Sequence, residues 1–168
     1  MRLLIRILIA VMILLPIAVF VYGQGEVKAQ STNAYFRDLT NKGNATYYDA
    51  FRIINILKEG KDSPDITFDG YKNKLIESKV IPSGWNKVKE KDFINRADVA
   101  YMLVKTLSIK GGVTLRVFGL TPRYALRECI MRKLIPDGYP NQLISGGELI
   151  SVLVHAEKYQ DKENGRND

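Results

Sequence analysis

The chain has 168 residues, of which 46% are hydrophobic and 26% charged, with a formal net charge of +7. That suits one globular domain with a real core plus an appendage. The basic residues alternate with Asp and Glu and form no arginine-rich or aromatic-interleaved stripe, which argues against a nucleic-acid partner. Cys129 is the only cysteine, so an internal disulfide and a two-cysteine metal site are both excluded, and no cofactor is expected.

The appendage comes first. Arg2 and Arg6 precede an apolar run from Ile7 to Tyr22 that only Pro16 interrupts, followed by Gly23-Gln24-Gly25 and Val27-Lys28-Ala29. This is the layout of a secretory signal peptide over residues 1–29, with cleavage expected after Ala29 and Gly23 as the second choice. The alternative is an uncleaved membrane anchor over residues 7–22. A run this short, with a proline inside it, falls below the roughly 20 residues needed to span a bilayer. Cleavage removes Arg2, Arg6, Lys28 and Glu26 and leaves a charge of +5. Cys129 is too far from the cleavage region to be a lipoprotein cysteine.

Residues 30–45 are polar and read as a loosely held leader. Five main helices are then predicted, over 47–58, 69–81, 96–109, 122–134 and 146–159. Three begin with the same signal, an N-cap acceptor three residues ahead of a carboxylate: Thr46 with Asp49, Asn95 with Asp98, and Ser145 with Glu148. The caps are about 50 residues apart, a spacing that indicates repeated architecture. Behind each cap an apolar face follows, and Ile53, Ile54, Met102, Leu103, Val152 and Leu153 are expected to share one core.

The helices over 69–81 and 122–134 end in nearly the same phrase, "KVIPSGW" from Lys79 and "KLIPDGY" from Lys133. Each is a helix end followed by a turn that closes on an aromatic residue, Trp85 or Tyr139. Thr121-Pro122 supplies a cap and a first-turn proline. "GGVTLRVFG", Gly111 to Gly119, alternates apolar and polar residues and predicts a short strand or extended connector. The tail, residues 161–168, has no apolar residue and is expected to be disordered.

"INRADVAYMLVKTL" resembles the motif helix of surface-layer homology domains, with Asn95-Arg96-Ala97-Asp98 standing where that family has Thr-Arg-Ala-Glu. "GYP" at Gly138 to Pro140 is similar to the family's Gly-Tyr-Pro turn. Over about Thr46 to Tyr159 the resemblance implies an all-α, pseudo-threefold helical repeat domain, exported and associated with the cell envelope. It also implies a non-enzymatic module that binds envelope polymer or another envelope protein, with Arg96 contributing to the ligand site. The motif arginine is replaced by Tyr47 in the first unit and Gly146 in the third.

Other residues with chemistry read as structural. His155 lies on the polar face of its helix with Glu148, Ser151 and Lys158. Cys129 aligns with Leu75 and reads as a buried, inert thiol. Ser145-Gly146-Gly147 resembles a phosphate-cradling helix start but lacks a following lysine, so a plain cap is preferred. No nucleophile, base and orienting-group constellation stands at a recognisable spacing, which disfavours a small secreted hydrolase. Trp85 and Tyr139 either pack over a helix or offer a stacking face to a sugar. Arg96 opens a helix, where a cation opposes the macrodipole, and so requires an anionic partner: Asp92 or Asp98 internally, or an acidic group on the polymer.

Overall fold

The computed structural model describes residues 31–111 and 119–165. The expected signal peptide and most of the extended connector lie outside those residues. The all-α expectation holds: six α-helices are seen among the described residues, α1 (Thr32–Thr40), α2 (Tyr47–Glu59), α3 (Phe68–Glu77), α4 (Arg96–Thr106), α5 (Pro122–Met131) and α6 (Gly146–Asn164), with a 3-10 turn at Ser83–Lys87. None of them is long and apolar enough to cross a membrane.

Helices α2, α4 and α6 start behind the predicted caps. The Thr46 and Ser145 hydroxyls accept from the N–H groups of Asp49 and Glu148, and each carboxylate accepts the cap N–H in return. At Asn95 the reciprocal half differs from expectation. Its side-chain oxygen accepts the Asp98 N–H at 2.8 Å, but the Asp98 carboxylate takes the Asn95 side-chain amide at 3.0 Å instead of the backbone N–H.

The residue before each cap joins a closed ring of backbone hydrogen bonds. Ala45 N–H donates to the Ile144 carbonyl at 2.8 Å, Ile144 N–H to the Ile94 carbonyl at 3.3 Å, and Ile94 N–H to the Ala45 carbonyl at 3.1 Å. All three residues are fully buried, so each would carry an unsatisfied polar group without the other two. The first-turn donors are met in the opposite circular order. Tyr47 N–H donates to Asp92, Arg96 N–H to Gln142 and Gly146 N–H to Lys42, each a carbonyl in a loop that precedes another cap. These are among the donors a helix start leaves without internal partners.

Around this ring, α2 packs on α3, α4 and α6, and α4 on α5. The six residues expected to share a core are all buried, among the side chains of one continuous cluster.

Three boundary expectations require correction. First, the expected leader is not loose over residues 31–45: Ser31 caps α1, whose Tyr35 and Leu39 are buried, and α1 packs on α6. Second, α3, α4 and α5 stop three or four residues early. Lys79, Ser108 and Lys133 adopt left-handed backbone with φ of 57°, 50° and 60°. The next residue then donates back to the helix, Val80 to Leu75, Ile109 to Val104 and Leu134 to Cys129, which satisfies terminal carbonyls. Third, the polar tail is helical as far as Asn164.

Candidate ligand-binding face

Arg96 is not presented to solvent. Its side chain is 5% exposed, and its guanidinium bonds the Glu148 carboxylate and, at 3.0 Å, the Pro136 carbonyl. Its Nε is buried without a partner among the described residues. An internal partner was expected at Asp92 or Asp98, and both are otherwise engaged. Asp92 accepts the Lys89 N–H at 2.9 Å, and Asp98 accepts the Tyr47 hydroxyl at 2.7 Å. The turn at Gly138 lies over the Arg96 side chain so closely that a Cβ there would stand 3.1 Å from its Cδ and Nε.

These contacts account for the different residues that open the three capped helices. The first residue of α4 reaches the third-position carboxylate of α6, and the first residue of α2, Tyr47, reaches that of α4. The third carboxylate, Asp49, is reached by Lys42 Nζ at 2.8 and 2.9 Å. Gly146, the first residue of α6, could carry no side chain, because its Cβ would meet the Leu39 carbonyl oxygen at 1.9 Å. The end of α1 fills that space. Three chemically different donors thus meet carboxylates at three equivalent positions.

The carboxylates respond differently. Burial pushes Glu148 up, but hydrogen bonds from Ser145 and the charge of Arg96 outweigh it and hold the group below its ordinary range. At Asp98 burial wins over the bonds from Tyr47 and Asn95, and its pKa is raised. Burial, then the bond to Asp98, raises the Tyr47 hydroxyl as well.

Trp85 and Tyr139, equivalent in sequence, part company in space. Trp85 lies in the 3-10 turn with its ring 5.8 Å from Tyr47 and 6.0 Å from Tyr101, and packs against the core. Tyr139 is 81% exposed. It lines a hollow of about 680 Å³ between the starts of α4 and α5 and the 139–141 turn, together with Asn95, Asp98, Thr121, Arg123 and Asn141. Arg123 was not singled out from the sequence. Its signal is local: it follows Thr121-Pro122 and recurs one turn later as Arg127, so both lie on the outer side of α5 and are exposed.

The remaining residues with chemistry serve packing or solvation. Cys129 is buried, its Sγ is 3.7 Å from the Ala100 carbonyl, and burial pushes the thiol up to about 12. His155 is exposed on α6. The glycine-rich start of α6 is occupied, since the Gly146 N–H is taken by Lys42. Among the described residues no cluster of His, Cys, Asp and Glu could hold a metal. No protein-family model matches the chain, and no curated protein or solved structure matches it.

Proposed function

We propose that the chain is an exported, non-enzymatic binding module of the cell envelope, built on a scaffold like that of surface-layer homology domains, whose ligand is an acidic envelope polymer. The observation that carries this reading is the exposed Tyr139 ring beside a hollow that contains Arg123 and the amide and hydroxyl groups of Asn95, Thr121 and Asn141. A sugar ring stacks on a tyrosine face, an acidic substituent pairs with a guanidinium, and hydroxyls exchange bonds with amides. The closed ring through Ala45, Ile94 and Ile144 supports the three-unit arrangement that the resemblance implies. The signal-peptide pattern of residues 1–29 supports export to the periplasm or cell exterior. Arg96 is a bridge between units on this reading, and Arg123 takes the role of ligand cation.

Co-sedimentation of the protein with purified cell-wall or outer-envelope polymer tests the proposal. Tyr139→Ala and Arg123→Ala, both at exposed positions, should abolish sedimentation while leaving the unfolding curve unchanged. A parent protein that sediments with no acidic polymer refutes the reading.

A further inference from the structure

On the other side of Arg123 and Pro140 lies a second hollow of about 500 Å³, between α5 and the 137–140 turn. Its character differs from the first. Leu126, Ile130, Met131 and Pro140 line it, while Arg123 and Arg127 stand on its rim. Met131 is 73% exposed, a large apolar side chain left in water beside other apolar surface. The apolar floor is small, with Leu126 buried and Ile130 half-buried beside Met131, so it suits a single seated side chain and not a broad apolar face.

Charge identifies the occupant. Arg123 and Arg127 are one helical turn apart, and neither makes an ion pair or hydrogen bond among the described residues. The acid of the same helix is engaged elsewhere: Glu128 pairs with Arg132 at 2.8 Å, and Arg132 also lies over the Tyr159 ring. Asp137 lines the hollow too, with its carboxylate turned to the Gly138 N–H at 2.9 Å. The rim is therefore net cationic and the floor apolar. A glycan would strip water from its hydroxyls against Leu, Ile and Met side chains with no bonds in return. An apolar side chain gains from that floor, and methionine adapts its shape to varied partners.

We propose that this groove docks a short acidic peptide segment of a partner protein, with a large apolar side chain seated on Leu126, Ile130 and Met131 and carboxylates paired with Arg123 and Arg127. The site is separate from the polymer reading, with which it shares only Arg123 and Pro140.

Fluorescence anisotropy of the full chain with a labelled nonapeptide, glutamates flanking a central Leu-Phe pair, provides the test. Binding is expected with a Kd on the order of tens of micromolar, as suits a small groove. Arg127→Glu and Met131→Asp, both exposed, should each weaken it about tenfold or more, because they invert the rim charge and polarise the floor. Tyr139→Ala should leave it within about twofold, which separates this site from the polymer hollow. Replacing the peptide's glutamates by glutamine, or its Leu-Phe pair by serines, should each abolish the signal. No signal up to about 1 mM peptide overturns the proposal. So does equal binding by the glutamine peptide, or insensitivity to both variants. Polygalacturonate binding that Met131→Asp and Arg127→Glu remove, without peptide binding, assigns the groove to a glycan and also overturns it.

Discussion

Arg96 closes on Glu148 across 52 residues of sequence, and the same carboxylate accepts the Ser145 N–H at the start of the helix in which Glu148 is the third residue. One acid therefore serves a helix start and a long-range bridge. Removing either partner strands the other: Arg96→Ala leaves a carboxylate without its cation, and Glu148→Ala leaves a guanidinium that is 5% exposed without its anion. Each should cost on the order of 3 to 5 kcal/mol in urea unfolding. Arg96→Met strands the same Glu148, which is 33% exposed and is hydrated equally in both variants, but it fills the space that alanine leaves empty, so its loss should be smaller. Equal losses for the alanine and methionine variants would show that charge, and not volume, sets the cost.

The titration of these groups gives a pH dependence with a definite sign. Glu148 is held below its ordinary value of 4.5 despite burial, through Ser145 and Arg96. Asp62 is held below 3.8, where burial is outweighed by bonds from Arg52 and Thr32. A carboxyl whose folded pKa is depressed contributes stability above its unfolded value and loses it as pH falls through the folded one. Stability should therefore be level above about pH 5 and fall steadily below about pH 4.5. Glu148→Gln should be less stable at neutral pH and show a shallower acid slope. Asp98, raised by burial, works in the opposite direction, so Asp98→Asn should make the acid slope steeper. Thermal unfolding followed from pH 7 to pH 3 reads all three.

The sequence discloses the parts of this fold that depend on local chemistry. Thr46, Asn95 and Ser145 are visible as caps because an acceptor and a carboxylate three residues apart have a fixed local use. The ring through Ala45, Ile94 and Ile144 is invisible, since any residue can donate and accept through its backbone. Helix α1 escapes a periodicity reading because only Tyr35 and Leu39 of its nine residues are buried, and its stability comes from contact with α6. Arg96 shows that an arginine needs an anion without showing which, because Glu148 is reached only after the units close. Arg123 and Arg127 carry no distinguishing signal until Tyr139 and Met131 are seen to be exposed beside them.

Gly146 illustrates a close approach that no local rule demands. Its backbone is helical, and the space for a Cβ is taken by the carbonyl oxygen of Leu39 at 1.9 Å, a backbone atom that cannot rotate aside. Gly146→Ala should destabilise the protein by about 1 to 3 kcal/mol or more, although alanine favours helices. The same change at Gly147, where the nearest atom is the Thr40 carbonyl oxygen at 3.8 Å, should be tolerated or slightly stabilising. Guanidinium unfolding of the pair provides the comparison, and equal effects at the two positions would remove α1 as the reason for the glycine.

The left-handed residues at the helix ends point to stabilising substitutions. Lys79 and Lys133 hold φ of 57° and 60°, a conformation that costs an L-residue about 1 kcal/mol relative to glycine. Both are exposed, so a glycine there loses no packing. Lys79→Gly and Lys133→Gly should each raise stability by roughly 0.5 to 1 kcal/mol, less the greater backbone freedom of glycine in the unfolded chain. Added together they should be nearly additive, because the two turns end different helices. A fall in melting temperature for either would mean that the lysine side chain contributes more than its backbone costs.

Trp85 and Tyr139 answer the same sequence position in opposite ways, and the cause lies in one residue. After Pro82 the chain coils into a 3-10 turn, in which Trp85 N–H donates to the Pro82 carbonyl and Val88 N–H to that of Trp85, and the ring turns toward Tyr47 and Tyr101. After Pro136 the residue following the aromatic is Pro140, which has no N–H and cannot extend such a turn. Tyr139 N–H instead donates to the Gln142 side chain at 3.3 Å, and its ring remains in water. Trp85→Ala should therefore destabilise by about 2 to 4 kcal/mol, somewhat below the loss for a fully buried tryptophan. Tyr139→Ala should change stability by less than about 0.5 kcal/mol, as surface substitutions do. Intrinsic fluorescence supplies an independent reading, since Trp85 is the only tryptophan. Its emission should be blue-shifted in the folded protein, unchanged by Tyr139→Ala, and red-shifted when Tyr47→Ala removes the edge-on ring beside it. A tryptophan already emitting as in water before unfolding would place the Trp85 ring, like that of Tyr139, in solvent.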